Sequence, residues 1–143
     1  MRIVIDTNII IAAIIRQGIV RETLLAYPDS FVTPEFCIEE AWDHREDWHR
    51  RGLREKELEE TFGLLVEDVL TVVPESIYSP WLLEAKSIID DPDDIHVVAL
   101  ALAVSSEGVW TFDISDFSNP ALQRRINVLT TSEARALLKR QRD

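Results

Sequence analysis

The chain has 143 residues, 46% of them hydrophobic, with one cysteine and a formal net charge of −11. These values predict one folded domain over residues 1–143, and they exclude general disorder, an intramolecular disulfide and a cysteine-based zinc cluster. The apolar run at residues 9–15 is far shorter than the roughly 20 residues that a membrane span needs. Because polar side chains also interrupt the first apolar stretch, we expect a cytoplasmic protein with no membrane partner.

Short apolar runs alternate with segments of helical periodicity along the chain. A predicted strand at 2–5 is followed by helices at 9–16 and 20–26 and by a strand at 31–32. Thr33 is predicted to cap a helix that runs from Pro34 to residue 51, and a helix at 54–70 leads into a strand at 70–73. Two helices, at 80–89 and 95–105, follow each other with no predicted strand between them. Strands at 109–112 and 126–129 then precede a final helix at 131–140. This alternation predicts an α/β fold with a parallel sheet covered on both faces.

Carboxylates follow two of the predicted strands directly. Asp6 comes after the first strand, Asp113 comes after the fourth, and Asp116 lies three residues further on. Since ligands bind at the carboxyl ends of parallel strands, these positions are where a site is expected. Ordinary structural roles are also open to them, because Asp6 is a good helix cap and Asp113 suits a turn.

Four more carboxylates crowd into residues 90–94, immediately before a helix that is apolar on nearly every face. Such a helix must be deeply buried, so its first residue, Asp94, points into the protein. The helix dipole stabilises one or two of these charges, but four together repel each other unless a cation is bound. The alternative is an exposed loop in which Asp93 or Asp94 caps the helix.

Two adjacent glutamates, Glu39 and Glu40, lie on the helix after Pro34. Neighbouring helical residues point about 100° apart, so both cannot face one site. If the separated acids converge, a hard divalent cation such as Mg²⁺ or Mn²⁺ would neutralise them. Zinc is disfavoured, because the chain has only three histidines and one cysteine.

The acidic segments resemble, in order, the four motifs of the PIN domain, a family of metal-dependent ribonucleases that includes the toxins of many prokaryotic toxin–antitoxin pairs. Residues 4–8 (VIDTN) resemble the first motif and residues 37–41 (CIEEA) the second. Asp94 with the alanines at 99 and 101 resembles the third, and residues 111–117 (TFDISDF) the fourth. Each motif alone is weak, but the ordered set covers almost the whole chain.

The resemblance implies roles for particular residues. The implied catalytic residues are Asp6, Glu40, Asp94 and Asp113; the implied metal ligands are Asp6, Asp94, Asp113 and Asp116; and the implied supporting residues are Thr7, Asn8 and Thr111. Counting from the helix start favours Glu39 as the second-motif acid, whereas the apolar pattern around it favours Glu40. We prefer Glu40.

The family resemblance also implies a fold and an activity. The fold would be a three-layer α/β/α sandwich with a central parallel sheet of four to five strands. The activity would be endoribonuclease hydrolysis of RNA phosphodiester bonds, dependent on Mg²⁺ or Mn²⁺. A basic antitoxin-like protein and a second copy of the chain are implied partners. The alternative is a PIN-like module that binds RNA or protein without catalysis.

Binding of RNA by so acidic a chain needs local basic or aromatic side chains. The basic candidates are Arg16, Arg45, Arg50, Arg51, Arg54, Lys56, Arg124 and Arg125. Trp42 and Trp48 could stack on bases. The more ordinary interpretation places Trp42 in the core and the charged run at 43–57 on a solvated helix face.

Overall fold

A five-stranded parallel sheet forms the centre of the protein. The structure is a computed structural model and describes residues 1–142. The strands are β1 (Ile3–Ile5), β2 (Phe31–Pro34), β3 (Leu70–Val73), β4 (Val109–Trp110) and β5 (Val128–Leu129). They lie in the order β3-β2-β1-β4-β5, and every neighbouring pair is parallel. The predicted α/β/α sandwich with a parallel sheet is confirmed.

Ten α-helices connect and cover these strands within residues 1–142. They are α1 (Thr7–Ile15), α2 (Ile19–Ala26), α3 (Glu35–Asp43), α4 (Arg45–Arg50), α5 (Glu55–Leu64), α6 (Glu75–Tyr78), α7 (Leu82–Ile88), α8 (Ile95–Ala103), α9 (Pro120–Gln123) and α10 (Thr131–Arg142). Crossovers between parallel strands are right-handed. The connections β1→β2→β3 therefore place α1–α5 on one face, and β3→β4→β5 place α6–α9 on the other.

The two longest predicted helices are interrupted. The helix predicted from Pro34 to residue 51 is two helices, α3 and α4, because the backbone leaves the helical region at His44 (φ −86°, ψ 5°). The helix predicted at 54–70 ends at Leu64 and continues as one wider π-helical turn, Leu65–Val69, before β3 begins. Amphipathic periodicity predicted both segments but not the breaks within them.

The prediction that Thr33 caps α3 was wrong. Thr33 belongs to β2 and is fully buried, and its hydroxyl donates a hydrogen bond to the carbonyl oxygen of Ile5 at 3.0 Å. Pro34 occupies the N-cap position and supplies no side-chain cap. A residue before proline favours extended backbone, which keeps Thr33 in the strand and ties β2 to the end of β1.

Strand β4 is shorter than predicted. It ends at Trp110, which is fully buried, whereas Phe112 lies beyond the strand and keeps 48% of its surface exposed.

Helix α8 packs against β1 and β2, and its residues 97–100 are buried. This packing fixes the first residues of α8 beside the carboxyl end of β1. Among the described residues, no helix combines the length and apolar character that crossing a membrane requires.

Gly108 allows the central strands to pair at the start of β4. Its φ is +147°, and an added Cβ would lie 2.7 Å from the carbonyl oxygen of Asn127. The carbonyl of Gly108 accepts a hydrogen bond from the backbone N–H of Val4 at 3.0 Å. A side chain here would disturb β1, β4 and β5 together.

We therefore expect Gly108→Ala to lower the free energy of unfolding by about 2 kcal/mol or more, through backbone strain and steric overlap. Gly63→Ala is the matched control, because Gly63 is helical and has open space around its Cα. It should raise stability by about 0.5–1 kcal/mol. Urea denaturation measures both changes, and equal effects from the two substitutions would contradict this account.

Candidate metal centre

The order of the strands creates a crevice between β1 and β4. The chain leaves β1 towards β2 on one side and leaves β4 towards β5 on the other. Ligands bind at such a reversal point, outside the carboxyl ends of the strands. A cleft of about 150 Å³ lies there, lined by Asp6, Thr7, Asn8, Glu40, His44, Asp91, Asp93, Asp94, Asp113 and Asp116. We call it the acidic cleft.

Asp6 both caps a helix and faces the acidic cleft. It is only 4% exposed, and its Oδ1 accepts a hydrogen bond from the N–H of Ile9 at 3.1 Å. Its Oδ2 accepts a hydrogen bond from the hydroxyl of Thr111 at 2.6 Å. Burial raises the pKa of Asp6 above its ordinary value, and the negative charge of Asp113 adds to this, while the hydrogen bonds oppose it.

Thr111 joins the two strand ends. Its hydroxyl donates to Asp6 and accepts a hydrogen bond from the N–H of Asp113 at 3.0 Å. Asn8 adds a second link, because its side-chain amide donates to Oδ2 of Asp113 at 3.1 Å. Thr7 makes no such link: its hydroxyl is buried and has no hydrogen-bond partner among the described residues.

Asp94 is a buried carboxylate that its own helix does not use. It occupies the N-cap position of α8, yet its side chain makes no capping hydrogen bond, and it is 8% exposed. The cap of the preceding turn is Asp91, whose Oδ1 accepts from the N–H of Asp93 at 3.0 Å. Burial raises the pKa of Asp94 to about 7, with further contributions from the charges of Asp91, Asp6, Asp116 and Asp113.

Three of these acids lie close enough to share one ion. Asp91, Asp94 and Asp116 each offer a carboxylate oxygen, and the three oxygens lie within 4.8 Å of one another. The sequence did not single out Asp91 as a ligand. The feature of the sequence that could have identified Asp91 is its spacing of three residues from Asp94. The short turn Pro92–Asp94 brings residues with this spacing onto the same side. Asp6 and Asp113 line the same cleft beside this group.

The two glutamates of α3 point to different surfaces. Glu40 is half-buried and lines the acidic cleft. Glu39 is exposed and lines a separate apolar groove with Ile38, Trp42 and Phe62. His44 also reaches the cleft. The sequence did not predict that His44 lines the cleft, because it did not predict the break between α3 and α4 at this residue.

The structure limits which side chains could contact RNA. Trp48 is 2% exposed, so it cannot stack on a base. Trp42 packs against Phe62, with the two ring centroids 5.0 Å apart. The guanidinium of Arg45 lies over the ring of Trp42, 4.8 Å from its centroid. Arg125 forms an ion pair with Glu84. These observations favour packing roles for both tryptophans.

Comparison with known proteins agrees with this fold. A family model described as PIN domain matches residues 4–137. The chain therefore belongs to the PIN-domain family. No curated protein matches the chain.

Among solved structures, the chain is similar to one in the crystal structure of VapBC2 from Rickettsia felis bound to a DNA fragment from their promoter. The two chains share 16% sequence identity with a TM-score of 0.63. The match covers 91% of this chain and 98% of the other. At this level of identity, the likeness shows a common fold.

Asp94 should make stability depend on pH when no metal is present. Its pKa is about 7 in the folded protein against 3.8 for the ordinary side chain, so the folded state holds the proton more tightly. The destabilising effect grows as pH rises from about 4 to 7 and is complete above that range. Asp94→Asn should therefore stabilise the protein in EDTA by about 2 kcal/mol at pH 8, and by less at pH 5.

Scanning calorimetry of wild type and variant at both pH values measures this difference. Asp90→Asn is the matched control, because Asp90 is exposed and does not line the cleft. Added Mn²⁺ should raise the Tm of the wild type at pH 8 more than that of Asp94→Asn. A larger gain for Asp94→Asn at pH 5 than at pH 8 would contradict the assignment.

Proposed function

We propose that the protein is a divalent-metal-dependent endoribonuclease that hydrolyses RNA phosphodiester bonds. One observation carries the proposal: carboxylates from four separate parts of the chain converge in a single cleft at the reversal point of the sheet. A cluster of this kind opposes folding through mutual repulsion. Its presence at the position where α/β proteins bind ligands supports a functional rather than a structural origin.

The donor set fits Mg²⁺ or Mn²⁺. Three carboxylate oxygens within 4.8 Å offer hard ligands, and the cleft lining contains no cysteine. Asp91, Asp94 and Asp116 would hold the ion, with Asp6 and Asp113 beside them as direct or water-mediated ligands. When bound, the ion supplies charge stabilisation of the phosphate and a more acidic water.

The other side chains of the cleft position groups for hydrolysis. Thr111 and Asn8 hold Asp6 and Asp113 in fixed orientations through the hydrogen bonds at 2.6 and 3.1 Å. Glu40 lines the same cleft from helix α3, and its carboxylate can accept a proton from the attacking water. Glu40 is therefore the second-motif acid in this proposal, and Glu39 has no part in it.

The role of the protein in the cell is also a proposal. Its membership of the PIN-domain family and its fold likeness to a VapBC2 chain support a toxin held by an antitoxin-like protein. The net charge of −11 would favour a basic partner. Cytoplasmic location and a homodimer remain part of this proposal. Co-expression with a neighbouring small basic protein, followed by purification, tests the partner directly.

We expect purified protein to cleave a labelled single-stranded RNA in Mg²⁺ or Mn²⁺ and to be inactive in EDTA. Asp6→Asn and Asp94→Asn should each lower the rate by at least about 100-fold, because each removes charge that holds the ion and the phosphate. Asp90→Asn should retain wild-type activity. If Asp90→Asn lost as much activity as Asp94→Asn, the loss would come from the change in total charge and not from the position of Asp94 in the cleft.

The adjacent glutamates give a second, internally controlled test. Glu40→Gln should lower kcat by about 100-fold or more, the range that positioned acid–base groups contribute, while Glu39→Gln leaves kcat unchanged. Both substitutions remove one negative charge from the same helix, so the general field changes equally. If neither metal-dependent cleavage nor Mn²⁺ binding by calorimetry is found, the non-catalytic binding module becomes the better explanation.

A further inference from the structure

A second pocket, of about 450 Å³, adjoins the acidic cleft. It is lined by residues 16–20 at the junction of α1 and α2, together with Ala12, Phe112 and Thr131. Phe112 lies two residues beyond β4, and Thr131 lies two residues beyond β5. The pocket is therefore at the same carboxyl edge of the sheet as the acidic cleft. We call it the Phe112 pocket.

The cleft and the pocket have no lining residue in common, but they are lined by neighbouring residues on two segments of the chain. Phe112 lines the pocket and is bonded directly to Asp113, which lines the cleft. Along α1, Asn8 lines the cleft and Ala12, four residues later, lines the pocket; Arg16, the residue that follows α1, lines the pocket as well. Residues four apart lie on one helix face, about 6 Å apart along the axis, so the cleft and the pocket are neighbours along α1.

The aromatic ring of Phe112 is available to a ligand. It is 48% exposed, whereas Phe31 and Phe117 are fully buried. Ile19, in the same pocket, is 47% exposed. Exposed apolar groups grouped at the rim of a polar cleft are characteristic of binding sites.

Arg16 gives the pocket a free positive charge. It is exposed, and its guanidinium forms no ion pair or hydrogen bond within residues 1–142. Arg21 nearby differs, because its guanidinium donates to the carbonyl oxygens of Ala13 and Ile14 at 2.6 and 2.8 Å. Those bonds attach α2 to the end of α1 and hold the pocket wall in place. On a chain of net charge −11, an unpaired cation here suits an anionic ligand.

We propose that the Phe112 pocket binds one unpaired nucleotide next to the phosphate held in the acidic cleft, with its base stacked on Phe112 and its phosphate contacted by Arg16. This inference rests on the proposed ribonuclease function. Bases of single strands stack on aromatic side chains with little dependence on sequence. Paired bases are not free to do so, so the pocket would favour a strand that is open at the cleavage position.

A short RNA that carries 2-aminopurine next to the cleavage position tests the stack directly. Ca²⁺ replaces Mg²⁺ in this measurement, so that binding is observed apart from hydrolysis. Wild type should quench the 2-aminopurine fluorescence on binding, and Phe112→Ala should not. Phe112→Trp keeps a ring and should retain quenching, whereas Phe112→Leu keeps apolar volume without a ring and should lose most of it.

Steady-state cleavage in Mn²⁺ supplies the second readout. Phe112→Ala should raise KM by about tenfold with kcat nearly unchanged, as expected for one stacked base. Arg16→Gln should raise KM by a smaller factor and make it less sensitive to salt. The controls are Leu83→Ala, since Leu83 is 80% exposed, and Arg140→Gln, since Arg140 is exposed on α10. Both controls should match wild type.

The outcomes separate this inference from the ribonuclease proposal. Active wild type with unchanged quenching and KM in Phe112→Ala overturns the nucleotide pocket and leaves the nuclease in place. Inactive wild type whose quenching still depends on Phe112 supports the pocket and contradicts the nuclease. Absence of quenching by wild type overturns the pocket. If Phe112→Ala instead releases a co-purified protein partner and leaves RNA binding intact, the pocket is a protein-binding surface.

Discussion

The hydrogen bond from Thr111 to Asp6 is the interaction on which the acidic cleft depends. At 2.6 Å it connects the ends of β1 and β4 across the reversal point of the sheet. The same hydroxyl accepts the N–H of Asp113, so one small side chain orients two acids that would otherwise repel each other. The burial of α8 against β1 and β2 then brings Asp94 to the same place. Together these two constraints hold Asp6, Asp113 and Asp94 at one edge of the sheet.

The acidic cleft carries an electrostatic cost to folding when no cation is bound. Burial raises the pKa of both Asp6 and Asp94, and each acid adds to the electrostatic cost of the others. A divalent cation reverses the sign of this field and makes the same arrangement favourable. In the nucleotide pocket proposed above, Arg16 and Phe112 would add a positive charge and an aromatic ring, which the acidic residues lack.

The sequence predicted the features that depend on local pattern. Apolar runs located all five strands, and Asp6, Asp94, Asp113 and Asp116 followed from their places beside buried elements. What it did not predict depends on tertiary geometry. The break at His44, the use of Asp91 as a near neighbour of Asp94, and the exposure of Phe112 all arise from where short turns lie in space. The role of Thr33 was predicted wrongly, because its hydroxyl donates a hydrogen bond to the carbonyl oxygen of Ile5 on the neighbouring strand and does not cap a helix.

The double use of Asp6 has an evolutionary consequence. Its Oδ1 caps α1 and its Oδ2 accepts a hydrogen bond from Thr111 in the cleft, so folding and the proposed chemistry depend on the same side chain. Asparagine caps helices about as well as aspartate, whereas alanine does not. A lineage that gives up the chemistry can therefore change Asp6 to Asn in one step and keep α1. The first mark of such a loss would be an amide in place of the acid, on an otherwise intact scaffold.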